Sequence, residues 1–280
     1  MPGIPDLFDA DLLATRRGRA GGADFLREAV AREVTDRLVE VNRTFHAPAV
    51  IGPRGEIQAE AMREAGLVAP VLRPDAAVLD LAEGAHDLVI HALALHWSND
   101  PVGQMVQARL ALRPDGMSII ATFGGETLNE LRAALAVAET EVLGGLSPRV
   151  APMGEIRDLG GLLQRAGLVL PVADSRRFDV TYPTPLDLMR DLRAMGETNV
   201  MRGRLRRPMR RDMLARTCEV YAERFGLPDG RVPATFEVVF LTGWAPGPDQ
   251  PKPLRPGSAK TRLADALGVP ERGAGEKAGR

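Results

Sequence analysis

A histidine beside a tryptophan, just past an apolar run, is the strongest chemical signal in this chain. His96 and Trp97 follow DLVIHALAL and precede Asn99-Asp100-Pro101. A strand ending there would present an imidazole that exchanges protons near neutral pH. Beside it would stand a flat indole wall suited to stacking. The competing reading is a Trp that packs on the next helix, with His96 hydrogen-bonded locally. A second signal is Gly52 and Gly55 in AVIGPRGEIQ. Apolar run, glycine turn and helix start form the usual cradle for a phosphate or nucleotide. Pro53 sits between the glycines, has no N–H to donate and cannot reach positive φ. On these residues alone, plain structure outweighs a cradle.

The third signal is Gly124-Gly125-Glu126-Thr127, which opens the backbone after the run MSIIATF. Glu126 and Thr127 could touch a substrate there. Thr127 with Glu130 also reads as a capping box for the following helix. The fourth is MRGRLRRPMRR, with six arginines between Arg202 and Arg211. It reads as a solvated basic face or as a docking surface for an acidic partner. RNA recognition would call for exposed aromatics; the chain has 4% aromatics and none in this run. A net charge of −1 gives no global pull toward DNA.

Composition narrows the class. With 280 residues, 45% hydrophobic and 26% charged, the chain is expected to fold as one large soluble domain, or as one domain with an added cap. Cys218 stands alone, so no disulfide forms within the chain, and a reducing cytoplasmic compartment is expected. Cys218 itself reads as a structural thiol. His86, His91 and His96 sit five apart, which matches no zinc-ligand spacing, so no metal is expected. No uninterrupted apolar stretch reaches about 18 residues, so no transmembrane segment is expected. The first twenty residues carry no signal-peptide core.

The elements that would position these residues alternate. Residues 24–45 carry an apolar helical stripe at Phe25, Leu26, Val30, Val34, Leu38 and Val41. A short strand at 47–51 precedes a helix at 56–66. LVAPVLRPD and AAVLDLAEG both read as short strands, and 87–95 as a stronger one. Asp100 and Pro101 open a helix as cap and first residue, with Val102, Met105, Val106 and Leu110 facing inward. Arg113-Pro114-Asp115-Gly116 is a turn, MSIIATF a strand, and Leu128, Leu131, Leu135, Ala138 and Val142 the inner face of a helix. A helix at 155–166, a strand LVLPVADS, helices over 185–226 and a strand over 232–244 follow. From Ala245 onward a disordered tail is expected. This order predicts an α/β sheet with helices on both faces, with ligands beyond the carboxyl ends of its strands.

The segments HDLVIHALALHWSNDP, LRPDGMSIIATFGGETLNELRAAL, AETEVLGGLSPRVAP, DLGGLLQRAG, LRAMGETN and VPATFEVVFLTGW together resemble the complex I assembly factor 5 family. More distantly they are similar to the malonyl-carrier-protein methyltransferases. The resemblance implies a Rossmann-like class I methyltransferase sheet with its last strand antiparallel and a helical insertion before it. It implies an N-terminal helical segment at 1–46, a core at 47–182, the insertion at 183–230, the final strand at 231–245 and a tail at 246–280. It also implies S-adenosylmethionine as cofactor, held by Gly52, Arg54, Gly55, Asp75 and Asp80. His96 and Trp97 would be catalytic, with Asn99, Gly125, Glu126 and Thr127 on the substrate side. The acceptor would be a protein side chain, with a complex I subunit at the inner face of a membrane as the candidate, and methyl transfer or arginine hydroxylation as the reaction. A factor acting by partner binding alone is the alternative. Two departures matter. Ile51 and Pro53 fall where the family's first two glycines belong, which weakens the cofactor's hold. Only eleven residues separate Asp75 from Asp87, where the family fits a helix and a strand, so the sheet edge that would wall the adenine is trimmed.

Overall fold

The computed structural model describes residues 6–250. Two helices come first, α1 (Ala10–Arg17) and α2 (Phe25–Glu40). Then follow β1 (Pro48–Ile51), α3 (Gly55–Glu64), β2 (Val71–Arg73), β3 (His86–Ala92), α4 (Pro101–Ala111) and β4 (Leu112–Phe123). The second half contains α5 (Asn129–Leu143), α6 (Ile156–Arg165), β5 (Val169–Tyr182), α7 (Pro185–Ala194), α8 (Arg211–Phe225) and β6 (Val232–Trp244). The strands form one six-stranded sheet in the order β2-β1-β3-β4-β6-β5. β2, β1, β3 and β4 run parallel, while β6 runs antiparallel to both of its neighbours. The reversed last strand is the one the resemblance implies. α7 and α8 form the insertion before the reversed strand.

Strand alternation divides the core. Val50, Leu88, Ile90 and Ile119 point to one face, where α2, α5, α7 and α8 pack. Ala49, Ile51, Val89 and Ile120 point to the other, under α4 and α6. Both faces are covered, so β1 and β3 are buried along nearly their whole length and read as continuous apolar runs.

Four expectations need correction. AAVLDLAEG forms no strand; residues 76–84 are an irregular crossing held by α4, in place of the family's helix and strand. Gln104 Nε2 donates to Ala76 O (3.1 Å), Gln107 Nε2 donates to Ala77 O (2.9 Å), and Leu79 N–H donates to Gln107 Oε1 (2.7 Å). The buried face of α4 is rotated accordingly: Gln104, Met105, Ala108 and Ala111 point in, while Leu110 is 42% exposed. Arg113–Gly116 do not end the strand. They lie inside β4 as an irregularity in its pairing with β3, with Asp115 at φ +64°. The capping box at Thr127 and Glu130 does not form. Leu128 occupies the cap position at φ +56° and no side chain caps α5. The Thr127 hydroxyl donates instead to Glu237 O (2.9 Å), and the Glu130 carboxylate accepts from the Thr235 hydroxyl (2.5 Å). The neighbouring strand β6 takes both side chains in place of the helix end. The Asp100 cap is present, its carboxylate accepting from Gly103 N–H at 2.7 Å. The tail expected at 246–280 lies, from residue 251, outside the described residues.

Candidate functional site

Beyond the carboxyl end of β3 the chain makes one 3-10 turn, Leu95–Trp97. That turn aims His96 and Trp97 at the same carboxylate, Glu197, which follows α7. Trp97 Nε1–H donates to Glu197 Oε2 at 2.6 Å, and His96 Nε2 lies 3.0 Å from the same oxygen. The other oxygen, Oε1, accepts from the Arg27 guanidinium of α2 at 3.0 Å. Arg27 also donates to Met195 O at 2.9 Å. The Glu197 side chain is 6% exposed and that of His96 1%. Burial pushes the Glu197 carboxyl up, but His96, Arg17 and Arg27 together outweigh it and hold it down at about 2. An ionised carboxylate can only accept, so His96 carries its proton on Nε2. Its Nδ1 is buried without a partner. The imidazole also packs at 4.6 Å between ring centroids on Phe123, at the end of β4.

Trp97 turns its ring outward from this hub. Phe8 meets it edge-on at 5.1 Å. Its free side, with Thr127, Phe123 and Glu197, lines a cavity of about 830 Å³ whose floor is α5 and α7 and whose rim includes the 204–209 segment. That is within the usual size of a small-molecule site, about 300–1,000 Å³.

Of the expected catalytic residues Trp97, and of the expected substrate-side residues Thr127, face this cavity. His96 lies behind Trp97 as its support. Asn99 is spent on the N-terminal segment, its amide exchanging hydrogen bonds with Phe8 N–H (2.8 Å) and Phe8 O (3.1 Å). Gly125 is there for close approach: a Cβ on it would stand 2.2 Å from Glu155 Oε1. Glu126 is exposed and accepts from Asn129 Nδ2 at 2.9 Å. The arginine run divides. Arg202 pairs with Asp6, Arg204 with Asp9 and Arg210 with Asp212. Arg206 and Arg207 reach the cavity rim. Cys218 is half-buried on α8, where burial pushes its thiol up.

The cofactor side is different. Gly52 has φ +142°, and a Cβ on it would stand 2.4 Å from Ala92 O, so the β1–α3 turn is closed against the end of β3. Gly52 N–H donates to Arg73 O at 3.1 Å. Pro53 has no N–H, so two of the turn's amides are lost to a ligand. Arg54 takes the left-handed cap position at φ +57°, and its guanidinium pairs with Asp24 (2.8 Å) and Glu56 (2.6 Å). Gly55 sits against Val50 and Leu72. Asp75, expected to hold ribose hydroxyls, is ion-paired with Arg17 from α1 and only 15% exposed. Asp80 is 91% exposed and lies 3.3 Å from Arg73. Between the turn, α2 and the end of β3 about 20 Å³ is open, room for about one water. In this arrangement the cradle does not fit S-adenosylmethionine.

Glu197, Arg27 and Arg17 were missed by reading the sequence. A signal for Arg27 was present: it stands three and four residues before Val30 and Ala31, on the buried stripe of α2. A cation on such a stripe requires a buried partner. Glu197 lies 100 positions from Trp97, and no local pattern pairs them.

No protein-family model matches the chain. The arginine-hydroxylase NDUFAF5 of Danio rerio is 36% identical over 263 residues, covering 86% of this chain and 82% of the relative. Its Homo sapiens counterpart is 34% identical over 94% of this chain and 84% of its own length. The malonyl-[acyl-carrier protein] O-methyltransferase of Halorhodospira halophila is 36% identical over 75% of this chain and 68% of its own length. At that identity and coverage the chain belongs to the family of the NDUFAF5 arginine hydroxylases and their methyltransferase relatives.

Proposed function

We propose that this chain is a methyltransferase-fold factor in respiratory complex I assembly, and that it receives a client group in the cavity beside Trp97. The observation that carries this is the contrast along one sheet edge: a cavity of about 830 Å³ beside Trp97, and a β1–α3 turn packed on Ala92 O with Asp75 ion-paired to Arg17. In the family reading the client is a protein side chain. Client binding is the activity this geometry supports best.

Modification of the client is the second reading. Methyl transfer is named in the malonyl relatives and arginine hydroxylation in the NDUFAF5 relatives. What favours it here is the intact wall of Trp97, Thr127 and Phe123 around the cavity. S-adenosylmethionine-dependent transfer would need Arg17 to leave Asp75 and the β1–α3 turn to separate from Ala92. With Arg202, Arg204 and Arg210 satisfied within the chain, an acidic protein partner would find Arg206, Arg207 and Arg211. No helix among the described residues is long and apolar enough to cross a membrane; attachment to the membrane face is part of the proposal.

The test is complementation of a strain lacking this chain, read as assembled complex I on native gels. The double variant Asp75→Asn/Asp80→Ala is expected to restore assembly, and Trp97→Leu to fail. Failure of the double variant with restoration by Trp97→Leu would reverse the assignment and favour a cofactor-dependent role.

A further inference from the structure

β5 ends the sheet at the far side from β2, and among the described residues no strand pairs with its outer edge. The backbone groups on that edge follow from the rest of the sheet. In β6, Glu237 and Thr235 turn their carbonyls away from β5, to Gly124 N–H (2.9 Å) and Leu128 N–H (2.8 Å). Backbone groups alternate from side to side along a strand, so Phe236, Val238, Phe240 and Thr242 turn theirs to β5. Their partners there are Phe178, Arg176, Asp174 and Val172. The residues between, Ala173, Ser175, Arg177 and Asp179, therefore aim N–H and C=O outward, and all are exposed. Two features bound this open stretch. Pro171 stands at an outward position with no N–H to offer, beside the irregular pairing of Val169 and Val172. At the other end the Thr181 carbonyl accepts from the Arg231 guanidinium at 2.5 Å.

Charges on an open edge ordinarily repel a second strand. Here they are self-complementary. When two copies of β5 lie antiparallel about Ser175, Asp174 faces the second copy's Arg176, Val172 faces its Phe178 and Ala173 faces its Arg177. Arg37 holds Asp174 at 2.6 and 2.8 Å, Glu33 holds Arg176, and 41% and 57% of those two β5 side chains stay exposed. Across the axis the order is Arg37, Asp174, Arg176, Glu33, alternating in sign, and opposite charges facing across strands stabilise a pair. Outward amides must meet outward amides, so the axis passes through a residue rather than between two. Centring on Asp174, Arg176 or Arg177 sets that charge against its own copy. Centring on Phe178 needs the Thr181 carbonyl that Arg231 occupies, and centring on Ala173 puts Pro171 in a bonded position against Ser175. We propose that two copies of this chain pair through the outer edge of β5, antiparallel about Ser175, and join their sheets into one. Ala173, Ser175 and Arg177 of each copy exchange main-chain hydrogen bonds with Arg177, Ser175 and Ala173 of the other, about six in all. The contact is isologous and closes on itself, as a two-fold dimer must.

The experiment is sedimentation velocity of the full chain over about 1–100 μM, the range in which such a contact is read, with cysteine cross-linking to fix the register. A species of twice the chain's mass is expected. Ser175→Pro removes the outward N–H at the axis and no bond to β6, and is expected to weaken the dimer at least about tenfold. In a Cys218→Ser background, Ser175→Cys is expected to form a covalent dimer on mild oxidation. Bonded antiparallel neighbours stand about 5.5 Å apart at Cα, within disulfide reach. Arg177→Cys in the same background is expected to stay uncrosslinked, its two copies lying about 13 Å apart along the ladder. Should Ser175→Pro fail to fold, the cysteine pair decides alone. A monomer throughout the range would overturn the proposal. So would a dimer indifferent to Ser175→Pro, or cross-linking through Arg177→Cys in place of Ser175→Cys.

Discussion

Two neighbouring regions of one sheet edge have diverged in opposite ways. Past β3 and β4, a buried polar hub props Trp97 against an open cavity. Past β1 and β2, backbone and ion pairs fill the space. The hub is expensive to bury and is centred on Glu197, whose oxygens meet Trp97, His96 and Arg27, while His96 Nδ1 stays unpartnered. The closed side is sealed by Gly52 against Ala92 O, Gly52 N–H on Arg73 O, and the largely buried ion pair of Arg17 with Asp75. The lesson is that one sheet edge can keep an acceptor wall open with long-range polar bonds while close backbone packing and a buried ion pair shut the cofactor turn beside it.

The comparison breaks first at Glu197. Glu197→Ala leaves Arg27 as a buried cation without its carboxylate. A loss of about 3–5 kcal/mol is expected in urea unfolding, and a loss below about 1 kcal/mol would mean the hub props nothing.

The same group sets a pH dependence. Its folded pKa, about 2 against an ordinary 4.5, is depressed, so its contribution is fully present above pH 4.5. That contribution is lost as pH falls toward 2, and amounts to about 3 kcal/mol for a side chain this buried. The difference between the stability–pH curves of the native chain and Glu197→Gln, from pH 5 down to 2, isolates it. Parallel curves would contradict the assignment.

On the closed side the effects are smaller. Gly52→Ala must leave a glycine-favouring φ and move Ala92 O, costing about 1–3 kcal/mol. Thermal unfolding measures it, and a neutral result would mean the turn is not sealed. Smallest of all, Asp80→Ala removes an exposed carboxylate and is expected to change stability by no more than about 0.5 kcal/mol. A larger loss would show that the 76–84 crossing depends on it rather than on Gln104 and Gln107.

Much of this was legible from local pattern. The alternation of strands and helices, the Asp100-Pro101 start and the inner face of α5 follow from side-chain period and cap chemistry acting within a few residues. The trimmed edge was legible from the short distance between Asp75 and Asp87, and Pro53 from its missing N–H. What was hidden depends on partners far along the chain. Thr127 and Glu130 have capping-box spacing, yet β6, over 100 positions away, binds both. Gln104 reads as a polar surface position and is buried because His91 and the 76–84 crossing need it, His91 Nε2 lying 2.8 Å from its Oε1. Arg206 and Arg207 look the same in sequence as Arg202 and Arg204; only the fold shows which two have acids beside them.

The central claim is that the acceptor cavity is open and the cofactor cleft shut. Calorimetric titration of the full chain with S-adenosylmethionine and S-adenosylhomocysteine tests it most directly. The account predicts no binding up to about millimolar, an interaction worth at most about 4 kcal/mol. Micromolar binding that is lost in Asp75→Ala would contradict it, and would mean that the cleft beside Gly52 and Arg17 opens for its cofactor.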